Sequence, residues 1–285
     1  MIQLKDLSFS YSKGAMLFEG LELSIPGGNI YGLLGKNGAG KTTLLSLISG
    51  LLFPKSGSCE VLGHIPRKRQ PSFLSDLYFI PEELHIPAMR ISTFVATYSP
   101  FYPKFDRAQF SKLLSEFKLS EELKMNKLSY GQKKKVILSF GLATNCKLLI
   151  LDEPTNGLDI PSKTQLRKIL AGAISEDRTF IISTHQVRDL ANLMDPIIII
   201  NQGKIIFQES IESINNKLQF QLAFREPNAS EVIYSERVPG GFMTINPQNG
   251  EGEEEVDLEV LFNAVIEKTD YFTDLFKTDY DYANE

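Results

Sequence analysis

Cysteine is scarce: Cys59 and Cys146 are the only two, and neither sits at metal-ligand spacing or has a partner. A zinc-binding or disulfide-stapled module is thereby excluded, and both are expected as reduced, partly buried thiols. Long hydrophobic runs are absent as well. No aliphatic run exceeds four residues, as at 197–200, far short of the roughly 20 needed to cross a bilayer. Met1-Ile2-Gln3-Leu4-Lys5 lacks the charged head and apolar stretch of a secretory signal, so the expected location is cytoplasmic. Without a secretory route, the glycosylation-type pattern Asn228-Ala229-Ser230 reads as a plain turn. Excess positive charge is also missing. The net charge is −5, and residues 251–285 hold twelve acids against two lysines, a balance of −10 that leaves +5 on the preceding 250 residues. That is too little for a nucleic-acid surface, and nucleic acid is not an expected partner. Residues 211–285 hold no internal repeat and no low-complexity tract. What remains is globular in composition, 42% hydrophobic and 23% charged over 285 residues, enough for one large domain with an appendage or two modest ones.

The most informative stretch is Gly35-Lys36-Asn37-Gly38-Ala39-Gly40-Lys41-Thr42-Thr43, two glycines bracketing four residues and followed by Lys and Thr. An apolar strand-type run (29–34) precedes it and a helix start (43–48) follows, which is the context a phosphate-binding loop requires. Gly35, Gly38 and Gly40 are expected to allow backbone angles that let amide N–H groups close on phosphate oxygens at a helix N-terminus. Lys41 would reach the terminal phosphates, and the Thr42 hydroxyl would ligate a magnesium ion bridging them.

Short half-buried strands are expected on both sides of a 12–14 turn, ending at Pro26-Gly27-Gly28, then strands at 59–62 and 77–80. Residues 83–145 switch to helical periodicity: Asp106 reads as an N-cap, with Phe110, Leu113, Leu114 and Phe117 on one face and a further helix beginning near Lys133. Apolar strands resume at 148–151, 180–183 and 197–200, separated by helical stretches 161–174 and 186–193. Such continuous apolar strands alternating with helices imply a doubly wound α/β fold, a parallel sheet covered on both faces. A tight turn at 201–204 closes it with an antiparallel pair. Residues 1–210 therefore read as one phosphate-loop NTPase domain with a strand-rich antiparallel N-terminal layer and a helical subdomain at about 83–145. Residues 211–285 read as a small α+β accessory domain, with strands at 218–224, 231–238 and 241–245, a loop at 250–255 and one amphipathic helix over 257–276.

Leu148-Leu149-Ile150-Leu151-Asp152-Glu153 ends a buried strand in two acids, and tips of parallel strands are where such sheets bind ligands. Asp152 is placed to hold magnesium, and Glu153 to polarise the water that attacks a terminal phosphate.

With these motifs together, residues 1–210 resemble the ATP-binding subunits of ABC transporters. Leu128-Ser129-Tyr130-Gly131-Gln132 resembles that family's signature loop, which closes over the ATP held by the opposite subunit; Tyr130 stands where the commonest form has glycine. The resemblance implies ATP contacts from Ser129, Gly131 and Gln132, adenine stacking by Tyr11, and inter-subunit communication through Gly157-Leu158-Asp159. It also implies a switch histidine at His185, following Ser183-Thr184, that holds Glu153 and the attacking water. One departure is Ile80-Pro81-Glu82-Glu83, where Glu82 replaces the usual Gln that contacts magnesium and senses the membrane subunit. Glu82 still offers hard oxygen ligands. Glu at this position, with Phe101-Tyr102-Pro103-Lys104-Phe105-Asp106, is similar to the exporter-like (ABC-2 type) subgroup.

The resemblance implies an ATPase using ATP and Mg2+, with Glu153, His185, Lys41 and Glu82 in catalysis and Thr42, Asp152 and Glu82 at the metal. Only one phosphate loop and one signature loop occur, so the implied partners are a second ATP-binding subunit, identical or not, and a separate transmembrane permease on the inner face of the membrane. The alternative, a soluble ABC-type ATPase outside transport, lacks support from a long heptad insertion or a second cassette.

Overall fold

Residues apolar at every position of a strand must be covered on both faces, and four such segments build the centre of the molecule. The computed structural model describes residues 1–12, 14–228, 231–250 and 255–277. Lys13, Ala229-Ser230 of the glycosylation-type pattern, most of the Gly-Glu run and the last acids lie outside them. The chain begins β1 (Ile2–Phe9), β2 (Phe18–Ile25), β3 (Ile30–Leu34), α1 (Lys41–Ile48), β4 (Ser56–Val61), α2 (Pro71–Ser75) and β5 (Leu77–Ile80). Three helices follow, α3 (Ile91–Tyr98), α4 (Arg107–Glu116) and α5 (Tyr130–Ala143), then β6 (Leu148–Asp152), α6 (Ile160–Ala173), β7 (Thr179–Thr184), β8 (Ile197–Asn201) and β9 (Lys204–Glu209). The last described elements are α7 (Ile211–Lys217), β10 (Leu218–Ala223), β11 (Tyr234–Val238), β12 (Gly241–Pro247), α8 (Leu258–Glu267) and α9 (Thr269–Lys277).

The central sheet has six strands in the order β5-β6-β7-β3-β8-β9, parallel except for the final β8-β9 pair. Because side chains alternate across a strand, each strand feeds two cores. Leu149, Leu151, Phe180 and Ile182 join one cluster, with α5 and α6 residues such as Leu138, Leu142, Leu166 and Leu170. Leu148, Ile150, Ile181 and Ile198 join the other, with Leu44, Leu45 and Leu47 of α1 and the apolar face of the antiparallel sheet β2-β1-β4. The expected phosphate-loop α/β core and N-terminal β layer are both present.

Phe140 of α5 anchors the helical segment. Its ring centroid lies 5.6 Å from Tyr78, 5.1 Å from Phe94, 5.9 Å from Tyr102, 5.0 Å from Phe105 and 6.4 Å from Phe110. Next to it, a Cβ on Gly141 would come within 2.8 Å of the Tyr78 ring, so glycine lets α5 lie close on β5. Asp106 caps α4, accepting from Gln109 N at 2.9 Å. Both cysteines are free and buried rather than partly buried, and burial pushes Cys59 up to about 12 and Cys146 to about 11.

Three elements differ from those read from sequence. The signature helix α5 begins at Tyr130, not near Lys133, because Ser129 and Gln132 form a reciprocal capping box. Residues 186–193 are two single 3-10 turns: Arg167 takes the Asp189 carbonyl and Lys163 its carboxylate, so the segment is held by α6 rather than by its own helical bonds. The 257–276 helix is two helices meeting at Lys268, whose ammonium is drawn to the Ile233 carbonyl at 2.6 Å. Strands β10, β12 and β11 form a separate sheet in the order β10-β12-β11, while Phe220, Ile245, Leu261, Ala264 and Phe272 share the core cluster of the ATPase sheet.

Phe140→Ala should cost about 3–5 kcal/mol, read as a drop in the urea midpoint at unchanged slope.

Candidate active site

At the C-terminal end of β3 the chain turns through Gly35 to Gly40 into α1, and the glycines serve distinct needs. Gly38 and Gly40 have φ of 81° and 110°, in the left-handed region. Gly35 has no such angle; there a Cβ would lie 2.7 Å from the Ile200 carbonyl oxygen, so the constraint is space. A Cβ at Gly40 would also meet the Phe18 ring at 2.8 Å, whereas one at Gly38 would meet nothing within 4 Å. Gly40 is the N-cap of α1 and offers no side chain, so the first amides of the helix stay available to an anion at its positive end.

Lys41, buried, points back over this loop, donating to Gly35 O at 2.7 Å and Lys36 O at 3.3 Å, with its ammonium 3.9 Å from Glu153 Oε1. Burial lowers its pKa, while Glu153, Asp152 and Glu82 pull it back up. Thr42 Oγ1 donates to Asp152 Oδ2 at 2.7 Å, and Ser183 Oγ donates to Asp152 Oδ1. The Asp152 carboxylate, fully buried, is thus satisfied by hydroxyls from two other elements.

Glu153 has φ 47°, the left-handed region for a non-glycine residue. Its amide donates to Ser183 O at 3.1 Å, and its carbonyl accepts from Lys134 Nζ at 2.5 Å. His185 Nδ1 lies 2.7 Å from Glu153 Oε1, while the buried Oε2 has no protein partner. Glu82 faces the same space, its Oε1 accepting from Asn156 Nδ2 at 2.8 Å.

These groups border one cavity of ≈ 740 Å³, within the range of nucleotide-sized pockets. It brings together Tyr11, Asn37, Gly38, Gly40, Lys41, Thr42, Thr43, Glu82, Glu153 and His185. Tyr11, 68% exposed, stands at its rim with its hydroxyl 2.7 Å from Thr43 Oγ1 and its ring edge-on to Phe9 at 5.1 Å. Lys36 is exposed and borders a smaller adjoining cavity with His185, while Ala39 is buried beneath the loop. Ser129, Gly131, Gln132 and Asp159 do not border the main cavity. Ser129 and Gln132 are exposed at the start of α5, and Asp159 caps α6, accepting from Ser162 N at 3.0 Å; the Ser162 side chain, and after it this amide, lower the Asp159 pKa.

Three partners escaped the sequence reading: Asn156 on Glu82, Ser183 on Asp152, and Lys134 on Glu153. Lys134 sits in a run of three lysines that looks solvated, but it shares a helical face with the buried Leu138 at i+4, a signal available from periodicity.

A phosphate loop, buried acids at a strand tip and a histidine on the second acid, all at one end of a parallel sheet, define a phosphate-loop nucleoside triphosphatase. The ABC transporter family model matches residues 18–156. The SkfA peptide export ATP-binding protein SkfE of Bacillus subtilis (strain 168) is 32% identical over 212 residues, covering 72% of this chain and 87% of that protein. The ABC transporter ATP-binding protein YtrB of the same organism is 27% identical over 242 residues, 84% of this chain and 82% of its own length. Among solved structures, the dimeric post-hydrolysis state of the ATP-binding cassette MJ0796 bound to ADP and Pi superposes with a TM-score of 0.66 at 23% identity, over 74% of this chain and 98% of that one. The chain belongs to the ATP-binding subunits of ABC transporters. It binds ATP and is an ATPase, and no helix among the described residues is long and apolar enough to cross a membrane.

The two glycine constraints predict different outcomes. Gly38→Ala, limited to the left-handed angle, should cost about 1–2 kcal/mol of stability at most, whereas Gly35→Ala should destabilise more and weaken nucleotide binding as well. Thermal melts with and without ATP check the order.

Proposed function

We propose that this chain powers export through a separate membrane subunit, using a dimer in which each ATP lies between one chain's phosphate loop and the other's signature loop. The observation that carries the hydrolytic part is the buried Glu153 Oε2, a carboxylate oxygen left without a donor beside a histidine that already holds Oε1. A buried anionic oxygen without a donor is costly, and a water donating to it would be aligned as the nucleophile toward a γ-phosphate.

In this reading Lys41 and the α1 amides hold the phosphates, Tyr11 stacks on adenine, and His185 fixes Glu153 and contacts the γ-phosphate. The oxygen donors Thr42, Asp152 and Glu82 suit Mg2+. Among the described residues no group of three or more His, Cys, Asp or Glu forms a cage of its own, which fits an ion that keeps waters and phosphate oxygens as ligands. When bound, Mg2+ would neutralise charge on the phosphates. Ser129, Gly131, Gln132 and Asp159, exposed or outside the cavity, are available to the second subunit, of the same or a different chain.

The membrane subunit has a candidate landing place. A cleft of ≈ 840 Å³ between α2, β5 and the α3–α4 segment exposes Leu51, Tyr98 and Phe101 and ends at Pro81, next to Glu82. A segment seated there would touch the loop that carries Glu82, so closure around ATP and the state of the permease would be linked. In this reading the permease seated at this cleft would hold the chain to the inner face of the membrane. The exporter assignment is supported by likeness to SkfE, whose name records peptide export.

Glu153→Gln should lower turnover roughly 100-fold or more and accumulate an ATP-bound dimer on size-exclusion chromatography; a variant that stays monomeric with ATP removes the shared-site reading for the isolated chain. Lys41→Ala should abolish ATPase activity, and full turnover in that variant overturns the phosphate-loop role. Tyr11→Ala should weaken ATP binding about 3–10-fold, a stacking-sized loss, while Tyr11→Phe keeps the ring and the affinity, both measured by calorimetry.

A further inference from the structure

We propose that Lys134 and Tyr130 are positioning residues that tie the first turns of the signature helix to the acids of the same chain's ATP site. The inference rests on the reading of Glu153 as the base for hydrolysis.

Lys134 is fully buried. An ammonium is unfavourable there unless it is bonded, and burial pushes its pKa down to about 8. Its bond is to the main-chain carbonyl of Glu153, the residue just past β6, whose φ of 47° departs from the strand. With the Glu153 amide on Ser183 O and the carbonyl on Lys134, both backbone groups of this left-handed residue are held. The direction of its side chain toward His185 follows from that backbone.

Tyr130 lies one turn earlier on the same helix face, at i and i+4 from Lys134, and the Lys134 ammonium is 5.7 Å from its ring centroid. The Tyr130 hydroxyl donates to the main-chain carbonyl of Glu82. Its ring packs on the turn after β6, where a Cβ on Gly157 would come within 2.4 Å of it. In that turn Asn156 holds the Glu82 carboxylate. One side chain thus braces the Glu82 loop, the 154–159 turn and α5, contacts that a glycine at this position could not make. The same helix end carries Ser129 and Gln132, both exposed. A signature loop displaced by engaging the partner's ATP would carry Tyr130 and Lys134 with it, and through them Glu82 and Glu153 of its own site.

The test uses the full-length protein and compares Tyr130→Phe, Lys134→Met and Glu153→Gln by steady-state ATPase kinetics and by binding of fluorescent trinitrophenyl-ATP. Tyr130→Phe removes only a hydroxyl on a 42% exposed residue, so folding is not at risk. Both positioning variants should lose about tenfold or more in kcat, as misplacement of a reacting group does, with nucleotide affinity within about twofold of the parent. If both keep their kcat while Glu153→Gln loses turnover, the positioning role is overturned and the reading of Glu153 stands. Retained turnover in Glu153→Gln overturns that reading instead. If Lys134→Met also loses nucleotide binding, its role is structural and that half of the inference fails.

Discussion

The hydrogen bond from Thr42 to Asp152 joins residues 110 apart in sequence, and the arrangement of the site follows from the need to satisfy that carboxylate. Asp152 ends a strand with no exposure, where an unpaired charge would be prohibitively costly. Its two oxygens are met by hydroxyls from the start of α1 and the end of β7. Both are at the C-terminal end of the parallel strands, so satisfying one acid fixes the phosphate loop, the acid pair and the histidine loop relative to one another. The buried, two-faced sheet holds these tips rigid, and the chemistry is confined to their ends.

Much of this was legible because its signals are local. A strand, a loop with glycines at set positions and a helix start are contiguous in sequence, and so are four apolar residues followed by two acids. Periodicity placed Phe110, Leu113 and Leu114 in the core, and they are buried. What escaped depended on tertiary partners. No breaker residue marks the end of α8 at Lys268; its side chain reaches the Ile233 carbonyl, just before β11. Nor does sequence show that Arg167 captures the Asp189 carbonyl and keeps 186–193 from continuing as a helix. Lys134 was hidden by its charge, since lysine is rarely fully buried unless paired, and its partner is a main-chain oxygen that composition does not reveal.

The strands before and after residue 210 lie in different sheets but share a core. Among the described residues the strands β10, β12 and β11 pair only with each other. Their apolar side chains nonetheless merge with one face of the ATPase sheet: Phe276 meets Phe207 edge-on at 5.1 Å, and Leu258, Val260 and Leu261 belong to the cluster that contains Val187 and Leu190. Arg188 and Glu259 pair across the same contact, though an exposed pair of this kind adds little energy. Phe262 shares a small cavity with His185 and Lys36. Since burial of apolar area dominates the stability of such contacts, the later elements are held to the ATPase sheet mainly by this shared core. Their α8 helix consequently lies beside the loop that presents His185, and that loop's position cannot be independent of theirs.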